Sequence, residues 1–279
     1  MPICRSSARC VTIFAADMEN KGKNDRRKVL EFVTAAGEVM LQNGAEVSRT
    51  QQTMEIMAQS FGVHSFHGYV LTNGLFASIG TEEGCPAQIR SVLQSSVHLG
   101  RVEAVNALSR HIAQGKVDLE EAEKQLEQIR NMPLASKRNQ VLACGFGSAG
   151  FAILFGGIWQ DGVIALLVGF LLQLLLLRME KAGVGRLFTR FWGAAFVAAM
   201  TILLFQTGLG ANMDKAIIGA LMPLVPGMAL TLGIRDLIDA DFLSGVIRML
   251  DALLTGACIA CGTGIVLLVA AYLPGVMPL

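Results

Sequence analysis

Residues 222–262 read MPLVPGMALTLGIRDLIDADFLSGVIRMLDALLTGACIACG, and this stretch decides the fold. It sets two prolines, four aspartates and two arginines between and inside segments that are otherwise apolar. From Ser244 onward it reads as a helix. At 100° per residue, with Ser244 at 0°, Arg248 falls at about 40°, Asp251 at about −20°, Thr255 at about 20°, Cys258 at about −40° and Gly262 at about 0°. These polar and small residues share one stripe, and the remaining surface is Val, Ile, Leu, Met, Ala and Gly. A charge inside a membrane-length helix is costly unless it faces protein or water, so the stripe is a candidate functional site. Upstream, residues 216–234 carry no charge but hold Pro223, Pro226 and Gly227. Proline removes a backbone donor and clashes with the preceding turn, which predicts a broken helix. Such breaks are tolerated in membranes where they are buried or line a cavity, and transporters bind substrates at them. A plain kink in a packed bundle is the alternative.

The rest of the chain fits a membrane protein with a soluble front. Of 279 residues, 53% are hydrophobic and 16% charged, against about 25% charged in soluble domains. The net charge of +1 points to no strongly charged partner and no nucleic acid. Six cysteines are scattered, and the Cys258/Cys261 pair lacks the second pair that a metal or redox motif needs. No metal or cofactor is expected. From residue 139 the sequence turns apolar, with charge-free runs at 139–160, 162–177, 191–213, 216–234 and 252–279. A spanning helix needs about 20 such residues, so about five transmembrane helices are expected, near 140–158, 161–179, 189–208, 214–234 and 244–273. The fold class expected is an α-helical integral membrane protein preceded by a small α+β domain. Residues 1–24 are expected as a disordered tail, with Met18 a second candidate start, 25–138 as the α+β domain and 139–279 as the membrane domain.

Orientation follows from Lys and Arg near the span ends. Lys137 and Arg138 precede the first span, Arg178, Lys181, Arg186 and Arg190 lie between the second and third, and Arg235 and Arg248 follow the fourth. The other side has Lys215 with Asp161 and Asp214. The N-terminal domain is therefore expected in the cytoplasm and the C-terminus outside.

In the soluble part, helices are expected over 25–43, 46–60, 101–114 and 118–131, the last with Asp118 as N-cap. Residues 63–70 and 75–79 read as strands around an Asn73-Gly74 turn. The segment Asn43-Gly44-Ala45-Glu46 with Arg49 is the densest polar motif. Glu46 and Arg49 lie one helical turn apart and can form a helix-surface pair or orient a functional loop. His64, His67, His98 and His111 are isolated, and no nucleophile–base spacing stands out.

Two stretches resemble the threonine/serine exporter (ThrE) family. AGEVMLQNGAEVSRTQQTMEIMAQSFG is similar to that family's opening, and PLVPGMALTLGIRDLIDADFLSGVIRMLDALL to its Pro-Gly…Arg-Asp…Gly…Arg stretch. Gln52 stands where the family carries an acid after the arginine. The length and the five spans look like the YjjP-type half of a split exporter, whose other half is a short YjjB-like membrane protein. The resemblance implies export of threonine and serine or of a succinate-like dicarboxylate across a bacterial inner membrane. On this reading Arg248 takes a substrate carboxylate, since a guanidinium suits that geometry. Asp251 takes an ammonium, carries a proton or neutralises Arg248. Ser244, Thr255, Pro223, Pro226 and Gly227 complete the site, and Asp236, Asp239 and Asp241 form a gate with Arg235. A transporter subunit, not an enzyme, is expected, and a higher oligomer stays open. The alternatives are a membrane-anchored hydrolase with a catalytic N-terminal domain, and a non-transporting membrane sensor.

Overall fold

A computed structural model describes residues 7–80, 85–92, 97–208 and 210–272, with side chains from residue 25 onward. The chain divides into two units. One contains Met1–Pro133 together with Arg235–Gly245, the other Leu134–Ile234 together with Val246–Leu279.

The first unit holds α1 (Ser7–Gln42), α2 (Val47–Ser60), β1 (Phe66–Leu71), β2 (Gly74–Ile79), β3 (Ala87–Ser91), α3 (Leu99–Ala113) and α4 (Leu119–Arg130). Helix α1 begins at Ser7, inside the segment expected as a tail. The three strands form one antiparallel sheet in the order β1-β2-β3. Leu75, Ala77 and Ile79 alternate inward along β2 and meet Val33, Met40, Met54 and Met57 from α1 and α2. The hairpin differs from expectation by one residue. Leu71 pairs with Gly74, so Thr72 and Asn73 make the turn. Gly74 instead permits the close approach of β3, since a Cβ there would lie 3.1 Å from the Arg90 carbonyl oxygen. His64 precedes β1, which starts at Phe66. Strand β3 has no sequence signal, because Ile89, its one large aliphatic residue, points outward at 70% exposure. Asp118 caps α4, accepting from the Glu121 N–H at 2.9 Å.

The second unit holds α5 (Lys137–Leu154), α6 (Trp159–Lys181), α7 (Arg186–Phe205), α8 (Met213–Leu221), a 3-10 turn (Met222–Leu224), α9 (Gly227–Ile238) and α10 (Phe242–Tyr272), the last two sharing residues with the first unit. Among the described residues, α6, α7 and α10 are each long and apolar enough to cross a membrane. The pair α8–α9, bent by 61° at its break, makes up to four. Helix α5 ends at Leu154, before residue 158, because Gly156 takes φ 90° and the Gly157 N–H turns back to the Ala152 carbonyl. Its first turn, Lys137 to Gln140, is polar.

Small residues let these helices approach closely. A Cβ on Gly145 of α5 would strike the Phe170 ring of α6, and one on Gly219 of α8 would strike Ala152 of α5. The core between them is Ile164, Val168, Leu172, Val197 and Leu224 with a set of alanines.

One residue counted from sequence only as a charge organises an end of this unit. Asp161 is fully buried. Its carboxylate accepts from the Ile158 N–H at 3.0 Å, the Ala211 and Asn212 N–H groups at 2.9 Å each, and the Asn212 side-chain amide at 3.0 Å. It thus caps α6 and holds the segment entering α8. The signal was available: an acid three residues after an N-cap reaches back to that cap's N–H. Removing it orphans buried donors that bonded to a charge. Asp161→Ala is expected to lower the unfolding free energy by about 2–4 kcal/mol, and Asp161→Asn by less, read by thermal or denaturant unfolding of the purified chain in detergent.

Candidate functional site

In the first unit, the two motif stretches meet. Helix α1 ends with Gly44 at φ 88°, and the Gly44 and Ala45 N–H groups return to the Leu41 and Met40 carbonyls. This turn delivers Glu46 to the N-cap of α2. Its side chain makes no cap. Instead it accepts from the Arg235 guanidinium at 2.9 Å, with the Glu46 side chain 17% exposed. The Ser48 hydroxyl donates to Asp239 at 3.2 Å. The helix-surface pair that spacing allowed between Glu46 and Arg49 is thus replaced by one with Arg235. Sequence reasoning missed it because the partner lies 189 residues away.

Glu46, Ser48 and Arg235 border a cavity of about 470 Å³. Arg49, Arg110 and Arg235 face it against one acid, Glu46. Thr53 and Ser109 also line it, with Asn106, whose side-chain oxygen accepts from the Thr53 hydroxyl at 3.2 Å. The lining carries three cations against one anion, so the space favours an anionic, hydrogen-bonding solute.

The four residues expected as a gate are spread over one turn. Asp236 is buried, and Asp239 reaches Ser48. Asp241 stands just ahead of α10, its carbonyl accepting the Gly245 N–H at 2.9 Å. The turn itself is a Schellman motif: the Asp241 N–H bonds the Asp236 carbonyl and the Ala240 N–H the Leu237 carbonyl. Its left-handed position, φ 65°, is filled by Ala240 where glycine is usual.

Along α10, Ser244, Arg248, Ala252, Thr255, Ile259 and Gly262 are buried. Counting 100° per residue from Ser244, these run from 0° to about 80°. The inward face is therefore centred on Arg248, and Asp251 and Cys258 lie at its edge, half-buried. Asp251 is ion-paired with Arg186 of α7. Spacing had placed Asp251 within reach of Arg248; a partner 65 residues upstream takes its carboxylate. Gly262 seats α10 on α7, since a Cβ there would collide with the Phe191 carbonyl oxygen. At the break, Pro223 lies in the 3-10 turn, Val225 is extended, and the Pro226 carbonyl restarts the ladder by accepting from Leu230 at 3.1 Å.

A left-handed alanine costs about 1–2 kcal/mol relative to glycine, and part of that is offset by the greater unfolded-state freedom of glycine. Ala240→Gly is expected to raise the stability of the full chain by about 0.5–1 kcal/mol, measured by denaturant unfolding in detergent.

Comparisons with known proteins agree with the motif stretches. A family model described as "Putative threonine/serine exporter" matches residues 31–270. The chain is 25% identical to a "Threonine/serine exporter" of Corynebacterium glutamicum, over 85% of this chain and 50% of that protein. It is 25% identical to a "Probable threonine/serine exporter" of Mycobacterium tuberculosis, over 85% of this chain and 45% of that protein. The chain thus spans about half the length of these curated relatives. No solved structure matches it. With the family model covering most of its length, the chain belongs to the threonine/serine exporter family.

Proposed function

We propose that the chain is one half of a secondary-active exporter of small amino or carboxylic acids, threonine and serine or a succinate-like dicarboxylate, in the bacterial inner membrane. The observation that carries this reading is Arg248, 5% exposed within a row of small and polar residues on α10. An anchor helix needs no such residue, and a membrane helix keeps one where it serves a pathway. In transport, the Arg248 guanidinium holds the substrate carboxylate, with Ser244 and Thr255 supplying hydroxyls and the Pro223–Gly227 break supplying free backbone groups.

Helix α5 serves as the first of five spans, the N-terminal unit faces the cytoplasm and the C-terminus lies outside. The Glu46–Arg235 pair and the Ser48–Asp239 bond then act as the cytoplasmic latch, beside a cavity that collects anionic solutes. A short second membrane protein completes the transporter. One observation supports it: only 22% of the most apolar 18-residue window of α10 is buried, against 33% for that of α6 and 39% for that of α7, so α10 leaves a face for a partner. A five-span half places its ends on opposite sides, which suits an inverted partner. The hydrolase alternative fares worse, since the cavity is lined by Ser48, Thr53 and Ser109 but, among the described residues, by no histidine or lysine to activate them.

Efflux of labelled threonine, serine and succinate from cells tests the assignment. The chain with its short partner is expected to export, and the chain alone to export little; full export by the single chain in liposomes refutes the split arrangement. At matched membrane level, Arg248→Gln is expected to abolish export, and Arg248→Lys to impair it strongly because an ammonium lacks the bidentate fork. Wild-type efflux from Arg248→Gln removes that residue from the site. Arg186→Gln and Asp251→Asn are each expected to lower membrane level by leaving one charge unpaired, and the double variant to recover it.

A further inference from the structure

We infer that the groove where the start of α5 meets the end of α6 binds one anionic phospholipid. The inference rests on the membrane reading of these helices and is independent of what is transported.

The groove has a volume of about 490 Å³. Its floor is apolar, formed by Val141 and Leu142 of α5 and Leu174 and Leu177 of α6. Leu142 and Leu174 are 48% and 47% exposed, so that floor is open to a ligand. Around it stand Lys137 and Arg138 from the first turn of α5 and Arg178 and Lys181 from the last turn of α6. No acid lines it. Among the described residues, none of these four side chains makes an ion pair or a hydrogen bond, although the chain pairs other arginines, such as Arg90 with Glu38 at 2.7 Å. Close packing holds the two helix ends in register: a Cβ on Gly145 would strike the Phe170 ring, and Gln173 donates to Gln140 at 3.4 Å.

This combination selects its ligand. A soluble phosphate gains nothing from four aliphatic side chains, and a neutral acyl chain gains nothing from four cations. A phosphodiester with attached acyl chains uses both, with the chain along the leucines and the phosphate among the cations at the interface. A zwitterionic headgroup brings its own cation into the same ring, so phosphatidylglycerol is preferred to phosphatidylcholine. Basic pockets between transmembrane helices are suited to anionic headgroups for this reason.

Native mass spectrometry of the full chain in detergent, titrated with phosphatidylglycerol and with phosphatidylcholine of the same acyl chains, reads the preference. Phosphatidylglycerol is expected to bind at least about tenfold more tightly, and Arg138→Gln/Arg178→Gln/Lys181→Gln to erase most of that margin. Should the charge variant insert poorly, the wild type still decides: raising the salt concentration about tenfold is expected to shrink the preference by screening. Leu142→Trp fills the floor without touching a charge and is expected to weaken phosphatidylglycerol binding. Equal affinity for the two lipids, a preference that survives the charge variant or the salt, or unchanged binding by Leu142→Trp each overturns the site. So does a photo-crosslinker at Leu174 that traps the second membrane protein and no lipid in cells.

Discussion

A buried arginine on an otherwise apolar helix is the constraint from which much of this structure follows. Arg248 cannot face hydrocarbon without a large cost. The helix therefore turns its small and hydroxylated residues to the same side. Gly262 brings α10 against the backbone of α7, and Thr255 and Ser244 continue the polar row between aliphatic faces. Asp251, at the edge of that row, is held by Arg186. Each step keeps a polar group out of lipid by giving it protein to face.

The same rule explains the ends of the helices. Backbone donors at a helix start have no partner inside the helix. At α6 the buried Asp161 collects such a donor and ties it to the segment before α8. At α2 the N-cap position falls to Glu46, which leaves capping aside and pairs with Arg235. That exchange is informative. A side chain placed where it could cap its own helix has been spent on a contact between two distant motif stretches, beside a cavity with an excess of arginines. The turn that presents Asp239 to Ser48 accepts a left-handed alanine, a local strain of the kind that collects at functional segments.

The apolar exterior of the second unit has its own logic. Much of α10 is uncovered, with Leu250, Leu253, Leu268 and Tyr272 all more than half exposed. Lipid or another membrane chain has to meet that face. Cations gathered at the joined ends of α5 and α6 add a charged rim to an apolar floor, the chemistry of a headgroup with its chains.

Sequence by itself determined most of the helices, the Asp118 cap, the proline break and the polar row on α10. All of these are local: propensity, capping and the 3.6-residue period act within a few turns. The row's centre was displaced, because periodicity reports that one side differs from the other and only the packing against α7 says which part of it faces inward. The tertiary structure alone decided the partners. Glu46 with Arg235, Asp251 with Arg186 and Asp161 with Asn212 lie 189, 65 and 51 residues apart. Side-chain pairs at that range leave no spacing signal, since any acid can pair with any base that the fold brings near. Strand β3 was hidden for a related reason. Its Ile89 points outward and its pairing with β2 is made by backbone groups that every residue carries.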